Sequence, residues 1–280
     1  MATSDHALLS ASGAHRWLNC TPSARLESGE PDSSSSAAEQ GTAAHALAEW
    51  KLRRALHQAS TFKPESDWID EEMERLTDDY VSFVQEHISL ARETCGDPQV
   101  LVEQRLDFSH VVPGGFGTGD VVIIAEPTLH IIDLKYGQGV LVDAERNPQL
   151  MLYALGALYA FGDLYDIETV TLTIFQPRRG NVSTWQIPVT ELLNWAETQV
   201  KPIAELAAQG EGEFRSGSWC FFANSRPPVG HVPRPTWRLP SWSSRHQPNC
   251  PTWRLPTCSH GSHSSNLGLL MLRPTPCQWL

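Results

Sequence analysis

Residues 117–136, GTGDVVIIAEPTLHIIDLKY, constrain this chain more than any other stretch. Two apolar runs read as β-strands joined by the turn Glu126-Pro127-Thr128. Asp120 opens the first strand, and Asp133 with Lys135 closes the second. In a hairpin of this register the two open ends lie side by side, so two carboxylates and an amine converge at one sheet edge. Asp133 and Lys135 are two residues apart and therefore share a face. Two acids beside an amine suit a divalent cation and a water made ready to attack phosphate. A solvent-facing hairpin end with an ion pair would carry the same letters. The glycines at 115, 117 and 119 favour the site, because they let backbone approach a ligand closely.

The flanking segments predict a mixed α/β sheet with helical cover. Helices are expected over 7–19, 37–58, 66–94, 148–162 and 190–208, and further strands over 99–106, 168–176 and 182–189. Pro148 suits a first helical turn, and Gly96-Asp97-Pro98 stops the helix before it. Gly41, near the start of its helix, fits a close backbone approach better than helix propensity. The order is helices, three strands, helix, two strands, helix. Three regions follow: an N-terminal segment over 1–36 with a short helix and a polar loop, a main domain over 37–213, and a tail over 214–280.

No stretch approaches the ~18–20 uninterrupted apolar residues of a membrane span. The opening MATSDHALLSASGAHRW lacks the basic start and apolar run of a secretory signal. Six scattered cysteines do not form a disulfide framework, so a reducing, cytoplasmic setting without membrane is expected. The net charge of −11 conceals a division. Residues 1–213 hold all 32 acids against 14 Lys+Arg, whereas residues 214–280 hold seven Arg and no acid. An acidic body argues against a general nucleic-acid coat. It does not exclude a nuclease, whose own site is acidic until metal fills it.

Other groups carry weaker signals. Gln149 and Tyr153 lie four apart on one helix face, as site residues or as the polar edge of a buried helix. His45 and Glu49 have the same spacing, as ligands or as a surface pair. Glu103 is a further acid or an exposed alternation position. Cys20 and Cys220 read as ordinary thiols; no CxxC pair exists, and spacing alone does not support a zinc or cluster site. No Walker loop, dinucleotide fingerprint, HExxH or GxSxG occurs.

Taken in order, Gly41-Thr42-Ala43-Ala44-His45 with Glu49, Gly117-Thr118-Gly119-Asp120, Asp133-Leu134-Lys135 and Gln149 through Tyr153 resemble the motif series of RecB-type nucleases in the PD-(D/E)XK superfamily. The opening Ser-Ala-Ser with Arg16-Trp17-Leu18-Asn19-Cys20, and VLVEQRLDFS…GFGTGDVVII, look closer still to an uncharacterised phage and prophage family of that superfamily. The resemblance covers about residues 8–220. It implies a restriction-endonuclease-like core and metal-dependent hydrolysis of DNA phosphodiesters. By the same resemblance Asp120 and Asp133 would ligate Mg²⁺ or Mn²⁺, with His45 and the Leu134 carbonyl as further ligands. Lys135 would orient or deprotonate the attacking water. Gln149, Tyr153, Glu49 and Glu103 would bind substrate or brace the site. Related enzymes with an N-terminal cysteine hold a 4Fe–4S cluster on that residue and three more near the C-terminus; Cys20 and Cys220 fit the first two places. DNA and other phage recombination proteins are the implied partners.

The pattern then breaks. The partner cysteine due within a few residues of Cys220 is replaced by Phe221-Phe222-Ala223-Asn224. Residues 214–280 hold half the prolines and half the tryptophans, and PTWRLP occurs at 235–240 and 251–256. Pro-Thr-Trp-Arg-Leu-Pro can be written CCA ACC TGG CGC TTG CCA, which two bases later reads Asn-Leu-Ala-Leu-Ala, a good helix. The tail is therefore expected to be disordered and frameshifted from about residue 221, leaving a chain that lacks a complete cluster. The function expected is a metal-dependent DNA nuclease, an exonuclease of phage recombination or DNA processing. The alternatives are a catalytically silent DNA-binding or adaptor protein of the same fold and a purely structural phage protein.

Overall fold

A computed structural model describes residues 7–29 and 35–220. Of the tail expected to be disordered over 214–280, residues 214–220 are described and end in a 3-10 turn at Ser218–Cys220; the rest, with the frameshift expected from about residue 221, lies outside the described residues. The described chain builds one five-stranded sheet whose strands lie side by side in chain order, with helices on both faces. Strands β1 (Gln99–Asp107), β2 (Phe116–Ala125) and β3 (Thr128–Leu134) form an antiparallel meander. Helix α5 (Pro148–Phe161) then carries the chain over to β4 (Thr169–Gln176), which pairs parallel to β3. A parallel neighbour requires such a crossover, because a tight turn cannot return the chain in the same direction. Strand β5 (Asn181–Pro188) closes the sheet, antiparallel to β4.

The two faces have separate cores. Val122, Ile124, Leu129 and Ile131 pack with Leu150, Leu152, Ala154 and Leu155 of α5. Val121, Ile123 and Ile132 pack with Ala48 and Leu52 of α3 (Ser36–Ala55) and Tyr80, Val84 and Ile88 of α4 (Glu71–Cys95). The two helices start on side-chain caps: Ser35 Oγ accepts from Ala38 N at 3.2 Å, and Asp70 Oδ1 from Met73 N at 2.8 Å. Helix α5 begins with both devices, Pro148 in its first turn and Asn147 Oδ1 accepting from Gln149 N and Leu150 N. Gly156 brings α5 hard against β1, since a Cβ there would lie 2.9 Å from Leu106 Cβ and 3.2 Å from its carbonyl carbon.

The helix expected over 7–19 does not form as one element. Turns lead into the short α1 (Ala14–Trp17), and α2 (Ser23–Glu27) follows. Ser10 takes over the local backbone, its Oγ accepting from Gly13 N at 3.2 Å and its carbonyl from Trp17 Nε1 at 3.0 Å. Short hydroxyl residues and glycine compete with helix in this way. Leu9, Ala11, Ala14 and Trp17 belong to the same core as α5. The helix expected over 190–208 is divided into α6 (Val189–Trp195) and α7 (Lys201–Gln209) by a π-type turn over Ala196–Val200. Pro202 lacks the N–H that would continue the regular ladder. No helix among the described residues is long and apolar enough to cross a membrane.

Candidate functional site

The hairpin turns on Glu126-Pro127, with Ala125 paired to Thr128 and Val121 to Ile132. One step further along this register sit Asp120 and Asp133, mid-strand and at the strand end respectively. Asp120 Oδ2 accepts the Leu134 N–H at 2.6 Å, so a side chain replaces the next rung of the ladder. Both carboxylates are buried, Asp133 nearly completely. Asp133 belongs to the α5 side. Its Oδ1 accepts from Gln149 Nε2 at 3.2 Å, and its Oδ2 lies 2.8 Å from Lys135 Nζ. Lys135 Nζ donates to Gln149 Oε1 at 2.9 Å, and Gln149 Nε2 also donates to Tyr153 Oη at 3.1 Å. The four-residue spacing on α5 thus puts one amide between the acid, the amine and the phenol.

Asp120 faces the other way. Its Oδ1 is 3.3 Å from His45 Nδ1 of α3. The cause is a local break in the sheet. Val102 pairs with Val121 and Gln104 with Gly119, but no pair joins Glu103 to Asp120 between them. Glu103 has φ 49°, a left-handed conformation that costs on the order of 1–3 kcal/mol for a side chain of this size. The break turns Glu103 and Asp120 into a small cavity whose wall includes His45, Glu49, Leu52, Tyr80, Val102 and Leu134. One ligand atom from each of His45, Glu103 and Asp120 lies within 4.8 Å of the other two, the one such group among the described residues able to hold a metal ion. Glu49 reaches the same wall while Arg53 ties it down, donating through Nε to Glu49 Oε1 at 2.7 Å and through Nη2 to Val102 O at 2.8 Å.

Charge follows this geometry. Burial alone would push the His45 imidazole down, but the adjoining Asp120 carboxylate overrides it and carries His45 up to about 9. Asp120 is lowered, burial being outweighed by His45 and the Leu134 amide. Glu103 is raised to about 8 by burial and then by the Asp120 charge. Asp133 is raised chiefly by burial, with Lys135 opposing and Asp120 adding. Burial and the nearby Asp133 keep the Tyr153 phenol protonated. The metal-free site therefore holds protons on His45 and Glu103 at neutral pH.

The glycines act differently from the sequence expectation. A Cβ at Gly115 would strike Phe108 at 2.6 Å, one at Gly117 would strike Tyr153 Cε1 at 2.7 Å, and one at Gly119 would come 3.0 Å from Leu106 Cδ1. They admit protein side chains, two of them seating the Tyr153 ring. Gly41 shows no close approach at all, with nothing within 4 Å of a Cβ built there. After Tyr136 the chain is fastened to the end of β4. Buried Gln176 donates through Nε2 to Gly137 O and Val140 O, both at 2.9 Å, and accepts at Oε1 from Val142 N at 3.2 Å. Nothing in the sequence pattern points to Gln176, or to Tyr80, whose place in the helical apolar period of α4 conceals its cavity wall.

Cys20 and Cys220 flank one residue. Cys20 Sγ accepts from Arg215 N at 3.4 Å, and the Cys220 thiol donates to Arg215 O at 3.8 Å. Cys95, the third described thiol, is exposed at the end of α4. Two thiols are half of the four that a 4Fe–4S cluster needs.

Among solved structures, the chain is similar to one titled "Crystal structure of SSO0001", at 13% identity over 75% of this chain and 92% of that one, with a TM-score of 0.27. A family model covers all of the described residues. Matching that model over residues 6–230, the chain belongs to the protein family of unknown function DUF2800.

Proposed function

We propose that this chain is a metal-dependent DNA nuclease of RecB type within the PD-(D/E)XK superfamily, acting in the cytoplasm as an exonuclease of phage recombination or DNA processing. The observation that carries the reading is the placement of His45, Glu103 and Asp120 within 4.8 Å of one another, beside Asp133 and Lys135. The donors fit Mg²⁺ or Mn²⁺: they are hard oxygens with one imidazole, a set that suits Mn²⁺ somewhat better. Asp133 Oδ2 adds to the fit, being buried without an aligned hydrogen bond. Asp120, Glu103 and His45 would hold the cation, with Asp133 and the Leu134 carbonyl within its surroundings. The cation would polarise a phosphoryl oxygen and lower the pKa of a water.

The protein's own groups do the rest. Leu134 N–H fixes the rotamer of Asp120. Asp133 and Gln149 hold the Lys135 ammonium at the strand end, where it can orient an incoming water and offset negative charge developing on phosphate. Gln149 in turn is steadied by Tyr153. DNA is the proposed partner, together with other phage recombination proteins.

The test is digestion of end-labelled linear and closed circular DNA with Mn²⁺, Mg²⁺ or EDTA, wild type beside Lys135→Ala. Metal-dependent loss of linear DNA, abolished by the substitution, is the expected result. Intact DNA after incubation with folded, Mn²⁺-loaded protein would instead favour a catalytically silent protein of the same fold.

A further inference from the structure

Tyr80 is buried to 1% exposure on α4, its ring tilted against Phe175 with centroids 5.5 Å apart. Its hydroxyl is buried and has no hydrogen-bond partner. A phenol left in this state costs stability that a phenylalanine would not. Its location gives the cost a purpose. Tyr80 lines the same cavity as His45, Glu103 and Asp120. Burial, followed by the nearby Asp120 carboxylate, keeps the phenol protonated. The hydroxyl is therefore a donor in need of an acceptor. The cavity that these groups share leaves room for a water-sized particle.

We propose that Tyr80 is a positioning residue, whose hydroxyl donates to a single ordered water held in this cavity beside the cation of His45, Glu103 and Asp120. The inference rests on the metal site proposed above and gives it an inner wall. The water links α4 to the site, so the cation is gripped from a helix that supplies no ligand. Outer partners of this kind are worth about 10–100-fold in metal affinity.

The experiment compares full-length wild type with Tyr80→Phe in the absence of DNA. Mn²⁺ binding is followed by calorimetry and by relaxation of water protons, and the melting temperature is measured with and without metal. Tyr80→Phe should weaken Mn²⁺ binding about 10-fold, change the water-proton relaxation, and leave the metal-free melting temperature equal or higher. Unchanged affinity and relaxation would overturn the inference while leaving the nuclease reading intact. A lower metal-free melting temperature would also overturn it, by showing that the hydroxyl is satisfied within the protein. A wild type that binds no Mn²⁺ would sink both readings together.

Discussion

The two faces of the sheet meet the site in opposite conditions. On the α5 side the side chains complete one another, with Gln149 joining Lys135, Asp133 and Tyr153. On the α3 side His45, Glu103 and Asp120 crowd together beside an unpaired Tyr80 hydroxyl. One side joins most of its polar groups to one another within the protein. The other keeps protons and a left-handed Glu103 in place where a cation would satisfy the same atoms. The difference teaches that holding a shape and receiving a ligand are separate tasks, divided here between two helices.

The largest effects should separate these tasks. Asp120→Asn should abolish Mn²⁺ binding by calorimetry and reduce DNA cleavage by about 10³-fold or more. Lys135→Ala should cut cleavage by roughly 10²–10⁴-fold while leaving Mn²⁺ affinity within a few-fold. Equal loss of metal affinity in both variants would erase the distinction between the two sides.

Proton release sharpens the same comparison. His45 at about 9 and Glu103 at about 8 must both give up protons before they can ligate a cation. Mn²⁺ affinity should therefore rise with pH, by up to about 100-fold per unit below pH 8 and about 10-fold between 8 and 9, then level off. Calorimetry in buffers of different ionisation enthalpy would count the protons. A flat profile between pH 6 and 9 would contradict the protonated α3 side.

Smaller effects test the α5 network and the first turns of α3. Gln149→Leu leaves the Lys135 and Tyr153 groups short of a partner and should cost about 1–3 kcal/mol in urea unfolding. Gly41→Ala should stabilise the protein by about 0.5–1 kcal/mol, because helix favours alanine and the space is open. A fall in DNA cleavage despite that gain would mean that substrate backbone comes close to Gly41.

Much of this architecture is written in local pattern. The expected strand over 99–106 is Gln99–Asp107, and the expected helix over 148–162 is Pro148–Phe161. Both are long periodic segments with clear punctuation at Pro98, Pro148 and Gly162. The hairpin register likewise sets Asp120 level with Asp133 and next to the Lys135 strand end, but the break at Glu103 turns Asp120 to the other face. The N-terminal helix failed because apolar spacing over 7–19 competes with the turn chemistry of Ser10 and Gly13. Glycine spacing could not show whether a ligand or the Tyr153 ring fills the gap at Gly117. Glu103 was readable as an acid, but a glutamate carries no mark of its left-handed backbone. Tyr80 is hidden for a different reason, because a helical period records burial and is silent about an unpaired hydroxyl.

The fastening of residues 137–142 by Gln176 sets an order of events during folding. Lys135 and the loop behind it precede α5 in the chain, yet the groups that pin them sit at the far end of β4. The Lys135 amide itself donates to Phe175 O at 2.9 Å. A nascent chain ending at α5 would carry both acids and the lysine without a fixed loop. The parallel β3–β4 pairing, an intrinsically slow kind of contact to close, must form before the Lys135 backbone is anchored. Exchange of the Val142 amide should therefore report the moment at which the site acquires its final form.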